Sequence, residues 1–275
     1  MQALAINLDG RGPRREITAR CEREIRQPFQ LLQFANFFSA ETVWRLTKEF
    51  RHLLSAGVTE DTPVAGLFHR SEAQVGELRY GAYTRQLGDL AAGPFSIFYT
   101  KFVYDFIRSH FSFATDGGIQ GAIHHHRPGS PSGWVHNDFH NCNFVAKLNH
   151  EGLNPWTPGT TYQYGYDQRP EIIKCYRSIA ILYYFGNEPW QEGDGGETCF
   201  FRSRSWDDMF LKIPPINNTL VAFEVTPNSW HAFASNARNE RNSVAMWYHS
   251  SHDVSLQRFG VLPHVTPGPK APARS

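Results

Sequence analysis

The 275-residue chain carries 27 lysines and arginines against 26 aspartates and glutamates, so its formal net charge is only +1. A balanced charge argues against nucleic acid or an anionic membrane surface as the main partner, because both need a basic patch on the protein. No apolar run approaches the roughly 20 residues of a membrane span, the N-terminus lacks a secretory layout, and the four cysteines form no C-x-x-C pair, so a reducing, cytoplasmic setting is expected.

The N-terminal part of the chain predicts a loose arm, a strand and a helix. Residues 1–20 are polar and interrupted by Gly and Pro, which predicts a flexible arm. The run PFQLLQFANFFS (28–39) is typical of a short strand or an extended entry. Ser39 is then a suitable N-cap for a helix over 41–54, where apolar side chains recur along one face. Those side chains are Val43, Leu46, Phe50 and Leu53.

A second helix is predicted over residues 95–111, FSIFYTKFVYDFIRSHF, where apolar residues again fall at helical spacing. Its aromatic side chains are expected to belong to the core. Residues 55–92 show no clear periodicity, and no element is predicted there. The region 21–118 is therefore interpreted as a helical support region.

Short apolar runs alternate with turn residues from about residue 119 onward. Closely spaced short strands bounded by Gly, Pro, Asn and Asp are typical of an antiparallel sandwich or barrel. The sequence therefore predicts a β core over 119–260 that joins the helical region in one domain, 21–260. Residues 261–275 are Pro-rich and predict a surface or disordered tail.

The stretch GWVHNDFHNCNF (133–144) contains three possible metal ligands, His136, Asp138 and His140, of which the H-x-D pair His136 and Asp138 is the preferred one. Residues two apart in a strand point to the same face, so the imidazole and the carboxylate would project together. His231, much later in the chain, offers a second imidazole. Two histidines and one carboxylate form the facial triad that binds non-haem Fe(II) and leaves other coordination positions open. By itself, H-x-D is a short pattern that polar residues in a surface turn also produce.

Arg241 could accompany such a metal site. It follows His231 by ten residues and is expected on the next strand. If a chelating cosubstrate is a dicarboxylate, its far carboxylate needs a cation that binds both oxygens. The planar guanidinium of arginine matches that geometry.

Five sequence elements in this order resemble the Fe(II)/2-oxoglutarate-dependent dioxygenases, in particular their prolyl-hydroxylase-like branch. The resemblance covers residues from about 119 to 250. Its elements are H-x-D at 136–138, RSIAILYYFGNEPW at 177–190, GDGGETCFF at 193–201, His231, and Arg241 with the closing strand RNSVAMWYH at 241–249.

The resemblance implies a mainly β protein with N-terminal helices (α+β) and a double-stranded β-helix, or jelly-roll, core. It also implies that His136, Asp138 and His231 bind Fe(II) and form the catalytic centre. The implied cofactors are Fe(II), 2-oxoglutarate as cosubstrate and O2, with ascorbate as an optional reductant. The presence of Asp138 argues against halogenation, because related halogenases lack this carboxylate.

The cosubstrate contacts are also implied by the resemblance. Arg241 would pair with the C5 carboxylate of 2-oxoglutarate, and the hydroxyl of Tyr184 would assist it. Ser243 would add a hydrogen bond, and His126 would line the cosubstrate pocket.

The implied activity is hydroxylation of an unactivated C–H bond with release of succinate and CO2. The substrate would be a small molecule, such as an amino acid or a natural-product intermediate, or a peptidyl residue. Three alternatives stay open: a non-catalytic jelly-roll protein that binds metal for structure or sensing, the same chemistry diverted to desaturation or cyclisation, and a cupin-like metalloenzyme without cosubstrate.

Several other residues attract attention near the proposed site. His140 is expected beyond the metal ligands, and His124 with His126 is expected in a polar pocket wall. Cys142 and Cys199 are interpreted as small buried side chains.

The long connection 146–172 is interpreted either as an aromatic lid over the iron or as a long hairpin packed on the surface, and the lid is favoured because long loops in compact domains are often functional. The side chains that would form this lid are Trp156, Tyr162, Tyr164 and Tyr166.

Overall fold

A computed structural model of the chain describes residues 17–60, 62–75, 78–90, 92–145, 147–156, 161–162, 172–260 and 262. Residues 1–16 of the predicted arm lie outside these ranges, as do Tyr164 and Tyr166 of the predicted lid and nearly all of the predicted tail. Among the described residues, no helix has the length and apolar character that crossing a membrane requires.

Most of the described chain forms strands. The strands are β1 (Arg20–Ile25), β2 (Leu31–Ala35), β3 (Val58–Thr59), β4 (Phe68–Val75), β5 (Leu78–Gln86), β6 (Ile119–His126), β7 (Asn141–Val145), β8 (Thr161–Tyr162), β9 (Ile172–Tyr184), β10 (Thr198–Phe201), β11 (Met209–Ile213), β12 (Thr219–Glu224), β13 (His231–Phe233) and β14 (Arg241–Ser251). The helices are α1 (Ala40–Ser55), α2 (Lys101–Arg108) and α3 (His252–Phe259), with 3₁₀ turns at Leu87–Leu90, Pro94–Tyr99 and Trp206–Asp208.

The strands form one large and one small sheet. The large sheet has the order β1-β2-β12-β9-β14-β6-β5-β4-β3, with β7 also paired to β9, and the small sheet has the order β11-β10-β13. From β9 onward the chain passes from the large sheet to the small one and back twice. This alternation between two sheets is the jelly-roll arrangement. The predicted fold class, mainly β with a jelly-roll core, is confirmed.

The large sheet separates two apolar clusters, as the alternation of side chains along β9 shows. Ile179, Ile181 and Tyr183 pack into the cluster that also receives the helices. Ala180 and Tyr184 pack on the opposite face, into the cluster between the two sheets. The second face therefore carries the side chains that surround the interior of the jelly roll.

Helix α1 forms as predicted. Its N-cap is Ser39, whose hydroxyl accepts a hydrogen bond from the Thr42 amide at 3.3 Å. Leu46 and Phe50 are fully buried, which places the predicted apolar face against the core.

The prediction of one continuous helix over 95–111 is wrong, because this segment forms two separate elements. The chain forms a 3₁₀ turn, Pro94–Tyr99, and then the separate helix α2. Thr100 between them is extended, with φ −87° and ψ 145°, and its side chain caps α2 by accepting from the Val103 amide. A residue that caps a new helix cannot continue the previous one, which apolar spacing alone does not reveal.

The interpretation of 21–118 as a helical support region needs correction, whereas the proposed domain boundaries stay a prediction. Strands β1 to β5 all belong to this region and all join the large sheet. Residues 55–92, where no element was predicted, contain β3, β4 and β5. The β4–β5 hairpin pairs with β6 through β5. The helical region and the β core therefore share one sheet.

Candidate active site

The structure brings the three predicted metal ligands together. One nitrogen or oxygen atom from each of His136, Asp138 and His231 lies within 4.8 Å of the others. Two backbone hydrogen bonds join the segments: the His136 amide donates to the His231 carbonyl at 3.0 Å, and the His231 amide donates to the His136 carbonyl at 2.8 Å. The two imidazoles are therefore held side by side by main-chain pairing.

Both histidines present Nε2 to the centre of the triad. His136 Nδ1 lies 2.9 Å from the Trp134 carbonyl, and His231 Nδ1 lies 2.9 Å from the Ser229 carbonyl. Because a carbonyl only accepts, each Nδ1 carries the proton and each Nε2 keeps its lone pair. This is the arrangement in which histidine binds metal ions.

Burial keeps His136 neutral. Burial, with a smaller contribution from the neighbouring His231, lowers the pKa of this imidazole to about 4. At neutral pH the side chain is therefore ready to act as a ligand without first losing a proton.

Asp138 does not lie in a strand, so strand alternation does not explain its place in the site. Its backbone lies in the left-handed region, with φ 58°, and strand β7 begins only at Asn141. The prediction that His136 and Asp138 share a face is right in outcome, but a turn and not a strand brings them together. A left-handed aspartate is uncommon and costs free energy, and such residues cluster at functional sites.

Two side chains outside the prediction bind the Asp138 carboxylate. Arg177 Nη1 donates to Oδ1 at 2.6 Å, and Trp247 Nε1 donates to Oδ2 at 2.7 Å. Burial alone would raise the pKa of Asp138, but Arg177 and the two histidines hold it well below its usual range. The carboxylate is therefore ionised over the whole physiological range of pH.

A cavity of about 300 Å³ extends from the triad into the space between the sheets. Its wall is mostly apolar and includes Trp134, Ala180, Leu182, Phe223, Ala245 and Trp247. The triad lies in this wall at one part of the cavity, and Arg241 lies in it at another. Ser71 of β4 also lines the cavity, so the region 55–92 contributes to its shape.

Arg241 is buried, with 4% of its surface exposed. Its Nε donates to the Gly196 carbonyl at 2.9 Å, Nη1 to Ser243 Oγ at 3.2 Å and Nη2 to Thr198 Oγ1 at 3.1 Å. All three acceptors are neutral. Within the described part of the chain, no carboxylate lies at ion-pair distance from this guanidinium. A buried cation of this kind calls for an anionic partner.

The other predicted cosubstrate residues fall in two groups. Ser243 lines the cavity beside Arg241. Tyr184 lies behind the wall, and its hydroxyl is 2.7 Å from Thr198 Oγ1. His126 also lies behind the wall, with its ring stacked on Phe233 at 4.2 Å. The wall positions that these two were expected to fill are occupied by Thr198 and His124.

His124 is on the pocket side of β6, opposite Ser243 in the register. Burial, together with the nearby Arg241, lowers its pKa to about 4. The ring is therefore a neutral hydrogen-bonding group next to the buried arginine. His124 and His126, which share one face of the strand, were both expected in a polar wall, and only His124 reaches the cavity.

The sequence contains a signal for Trp247 but not for Arg177. Trp247 shares the parity of Arg241, Ser243 and Ala245 along β14, so alternation places it on the pocket face. Arg177 is three residues before Ala180, so strict alternation would place its side chain on the face opposite the pocket. A β-bulge resolves this, because β9 pairs Ile179 with Tyr248 but Arg177 with His249, so Ser178 is the extra residue. Bulges re-aim side chains in this way beside active sites.

The remaining residues singled out in the sequence are not metal ligands. His140 is not part of the triad, and its amide donates to the Asp138 carbonyl at 2.8 Å. Cys142 and Cys199 are buried free thiols, as interpreted from the sequence. Trp156 packs against the buried cluster of Cys142, Phe144 and Cys175. For Trp156 this packing favours the alternative of a packed connection over the lid.

Comparison with known proteins gives a family match and a set of similar structures. The sequence profile described as the 2OG-Fe(II) oxygenase superfamily matches residues 152–249. The matched stretch contains His231 and Arg241, whereas His136 and Asp138 precede it. A comparison with curated proteins gives no match.

Three similar solved structures are prolyl hydroxylases. A Pseudomonas putida prolyl-4-hydroxylase is 17% identical with a TM-score of 0.49, over 80% of this chain and 92% of that one. A Trichoplax adhaerens prolyl hydroxylase, in complex with a hypoxia inducible factor peptide fragment, is 16% identical with a TM-score of 0.48, over 79% and 82%. Prolyl 4-hydroxylase from Phytophthora capsici is 17% identical with a TM-score of 0.49, over 86% and 63%. Identity at this level carries no information about substrate.

The profile match confirms the resemblance found in the sequence, and the residues present fit the cofactors that it implies. Two imidazoles with free Nε2 atoms and one ionised carboxylate are a donor set for Fe(II). The buried Arg241 suits a dicarboxylate. Residues 152–249 thus match the 2OG-Fe(II) oxygenase superfamily, and the described site contains the residues that an enzyme dependent on Fe(II), 2-oxoglutarate and O2 requires.

Proposed function

We propose that the chain hydroxylates an unactivated C–H bond of a small molecule or a peptidyl residue, with release of succinate and CO2. His136, Asp138 and His231 would hold Fe(II), and Arg241 would bind the C5 carboxylate of 2-oxoglutarate. The observation that carries the proposal is a single cavity whose wall contains both the triad and a buried arginine without a described anionic partner.

The surroundings of Arg241 support a carboxylate as its ligand. Three of its donors are held by Gly196, Ser243 and Thr198, so the guanidinium is fixed before any anion binds. A guanidinium that is already in place loses little conformational freedom on binding. The hydroxyls of Ser243 and Thr198 face the same cavity and would donate to the bound carboxylate.

Tyr184 would act through Thr198 and not by direct contact. Its hydroxyl bonds to Thr198 Oγ1, which also accepts from Arg241 Nη2. The tyrosine therefore orients the threonine hydroxyl and, with it, one edge of the arginine. His126 would support the wall through Phe233, and His124 would take the role that the sequence gave to His126.

The bound cofactors supply the oxidising chemistry, while the chain binds, orients and shields. The Nδ1–H donors of the two histidines fix their rings, and the donors to Asp138 fix its carboxylate. The mostly apolar wall excludes water around the target C–H bond, which limits side reactions.

The size of the cavity bears on the substrate class. About 300 Å³ is at the low end of the range for ligand pockets. Such a volume suits the cosubstrate together with an amino acid, a compact natural-product intermediate or one side chain of a peptide. The order of the five sequence elements supports the prolyl-hydroxylase-like branch, in which desaturation or cyclisation would be diversions of the same chemistry.

Two further expectations accompany the proposal. Ascorbate would act as an optional reductant, by analogy with the family alone. A cytoplasmic setting is supported by four free cysteines, three of them buried.

The decisive experiment is an anaerobic titration of the Fe(II)-loaded protein with 2-oxoglutarate. Chelation at a facial triad with open positions is expected to produce a weak visible charge-transfer band. The band should disappear in His136→Ala and shift to much higher 2-oxoglutarate concentration in Arg241→Met. Arg258→Met, which removes an arginine paired with Glu224 outside the cavity, is the matched control.

The outcomes separate the enzyme from a metal-binding or sensing protein. Full iron occupancy without any effect of 2-oxoglutarate would contradict the proposed function. A band in the wild type that is unchanged in Arg241→Met would contradict the role of Arg241. Succinate release that rises with a candidate substrate would then identify the substrate class.

A further inference from the structure

The Asp138 carboxylate accepts one hydrogen bond on each oxygen from residues outside the triad. Arg177 binds Oδ1 at 2.6 Å and Trp247 binds Oδ2 at 2.7 Å. The arginine bond is charge-assisted, and bonds of this kind are short and strong. The carboxylate is therefore held on both sides by donors that are not themselves metal ligands.

The two donors also hold each other. The guanidinium carbon of Arg177 lies 3.8 Å from the centre of the Trp247 ring, within the range of a cation–π contact. Arg177 lies on β9 next to the bulge at Ser178, and Trp247 lies on the adjacent strand β14. Turning either side chain away from Asp138 would break the contact between them as well as the hydrogen bond.

Each oxygen of Asp138 also lies near one of the two imidazoles. Each carboxylate oxygen has two acceptor sites and uses one for its donor. Oδ1 lies 3.8 Å from His136 Nε2, and Oδ2 lies 3.5 Å from His231 Nε2. Each imidazole therefore has one carboxylate oxygen of Asp138 within 4 Å, and one potential ligand atom from each of the three residues lies within 4.8 Å of the others.

We propose that Arg177 and Trp247 are positioning residues that fix the orientation of Asp138 as a metal ligand. The proposal rests on the proposed function, because it assigns a role within the same triad. Partners that orient a metal ligand typically change metal affinity by 10- to 100-fold when they are removed. We expect the loss of either donor to weaken metal binding within this range and to alter the ligand field of the bound ion.

The test is a titration of the metal-free protein with Co(II) alone, followed by its visible ligand-field bands. Trp247→Phe removes only the indole donor and leaves the charge unchanged. Arg177→Met removes the guanidinium, and Arg177→Lys keeps the charge and can restore one donor. The matched controls are Trp190→Phe, which loses an indole bond to the Gly195 carbonyl, and Arg258→Met.

We expect about tenfold or weaker Co(II) binding and changed bands in Trp247→Phe and Arg177→Met. Arg177→Lys should be intermediate, and both controls should match the wild type. Unchanged affinity and bands in Trp247→Phe would overturn its role. Tighter binding in Arg177→Met would overturn the role of Arg177, because charge repulsion would then outweigh orientation. If Trp247→Phe fails to fold, the two Arg177 variants decide.

Failure of the proposed function gives a different pattern. In that case the wild type would still bind Co(II) at a site that is lost in His136→Ala, but the Fe(II)-loaded protein would show no effect of 2-oxoglutarate. A wild type that binds no Co(II), or a His136→Ala that binds it equally well, would overturn the triad itself. Failure of the positioning role alone leaves one Co(II) site that is lost in His136→Ala and is insensitive to Arg177 and Trp247.

Discussion

Replacement of His249 by asparagine should make the metal-free protein less sensitive to acid. His249 lies on β14 and has no exposed surface. Its Nδ1 donates to the Gly118 carbonyl at 2.8 Å, and its ring lies 4.8 Å from that of Phe144. Burial, together with the nearby Arg177, lowers its pKa from 6.5 to about 3.

The magnitude follows from the two pKa values. The unfolded chain takes up a proton at His249 near pH 6.5, whereas the folded protein does so only near pH 3. The unfolded state therefore binds more protons between these values, and stability must fall as the pH falls through this window. At about 1.4 kcal/mol per pH unit, this one histidine costs roughly 2.5 kcal/mol between pH 7 and pH 4.5.

Asparagine is a suitable replacement because its amide can keep the bond to the Gly118 carbonyl, but it does not titrate. The smaller side chain leaves space beside Phe144, so His249→Asn should be about 1–3 kcal/mol less stable at pH 7. This deficit should vanish or reverse near pH 4.5, since the variant lacks the acid-dependent loss.

Urea unfolding in the presence of a chelator, repeated at half-unit steps from pH 7 to pH 4.5, measures the difference directly. His150→Asn, which removes a histidine with an 88% exposed side chain, controls for the loss of an imidazole at the surface. If the stabilities of His249→Asn and wild type run parallel with pH, the reasoning about the buried imidazole is refuted.

Three other changes test the packing, the arginine site and the triad. Gly118→Ala places a methyl group about 2.3 Å from the Phe144 ring, so it should lower the free energy of unfolding by about 1–3 kcal/mol, measured by thermal melting. The control Gly93→Ala, whose added methyl group has its nearest atom at 3.6 Å, should be far milder. Equal melting points of the two variants would contradict the close packing. Tyr184→Phe should weaken 2-oxoglutarate binding by about 3- to 10-fold, because it removes one hydrogen bond worth about 1 kcal/mol. Thr198→Val should weaken it more, because it leaves both Arg241 Nη2 and the Tyr184 hydroxyl without their shared partner. Calorimetry that ranks the two variants in the opposite order would show that Tyr184 contacts the cosubstrate itself. Mn(II) at about 100 times its Kd should stabilise the wild type by about 2.7 kcal/mol in urea unfolding but leave His231→Ala unchanged, so equal stabilisation of the two proteins would mean that the ion binds elsewhere.

The residues that chemistry requires could be found in the sequence, because their identities are restrictive. His136, Asp138, His231 and Arg241 combine side-chain types that few other roles need, in an order typical of one family. The structure brings the first three within 4.8 Å and places Arg241 in the wall of the same cavity. Helix α1 could also be predicted from the sequence, since its cap and its apolar face are local features.

The features that were missed depend on pairing between distant parts of the chain. Strands β3 to β5 gain their places from β6, and their own sequence shows no clear alternation. Arg177 is aimed into the cavity by a bulge that only the pairing of β9 with β14 defines. His124 and His126 are two residues apart on the same face of β6, and their places along the strand, opposite Ser243 and Arg241, separate the one that lines the cavity from the one that stacks on Phe233. Local pattern cannot supply any of these.

The two arginines of the cavity are distinguished by what neutralises them. Arg177 is paired with Asp138, whereas Arg241 has only neutral acceptors among the described residues. With two guanidinium groups and one carboxylate in its described wall, the cavity is already positive before a divalent metal adds two more charges. A dianion that spans from the metal to Arg241 offsets those two charges and supplies the missing partner of the buried arginine. Binding of metal and of dianion must then strengthen each other by the same factor, because coupling between two sites is reciprocal. Each ligand therefore favours the other through charge alone, without a rearrangement of the protein and without a fixed order of binding.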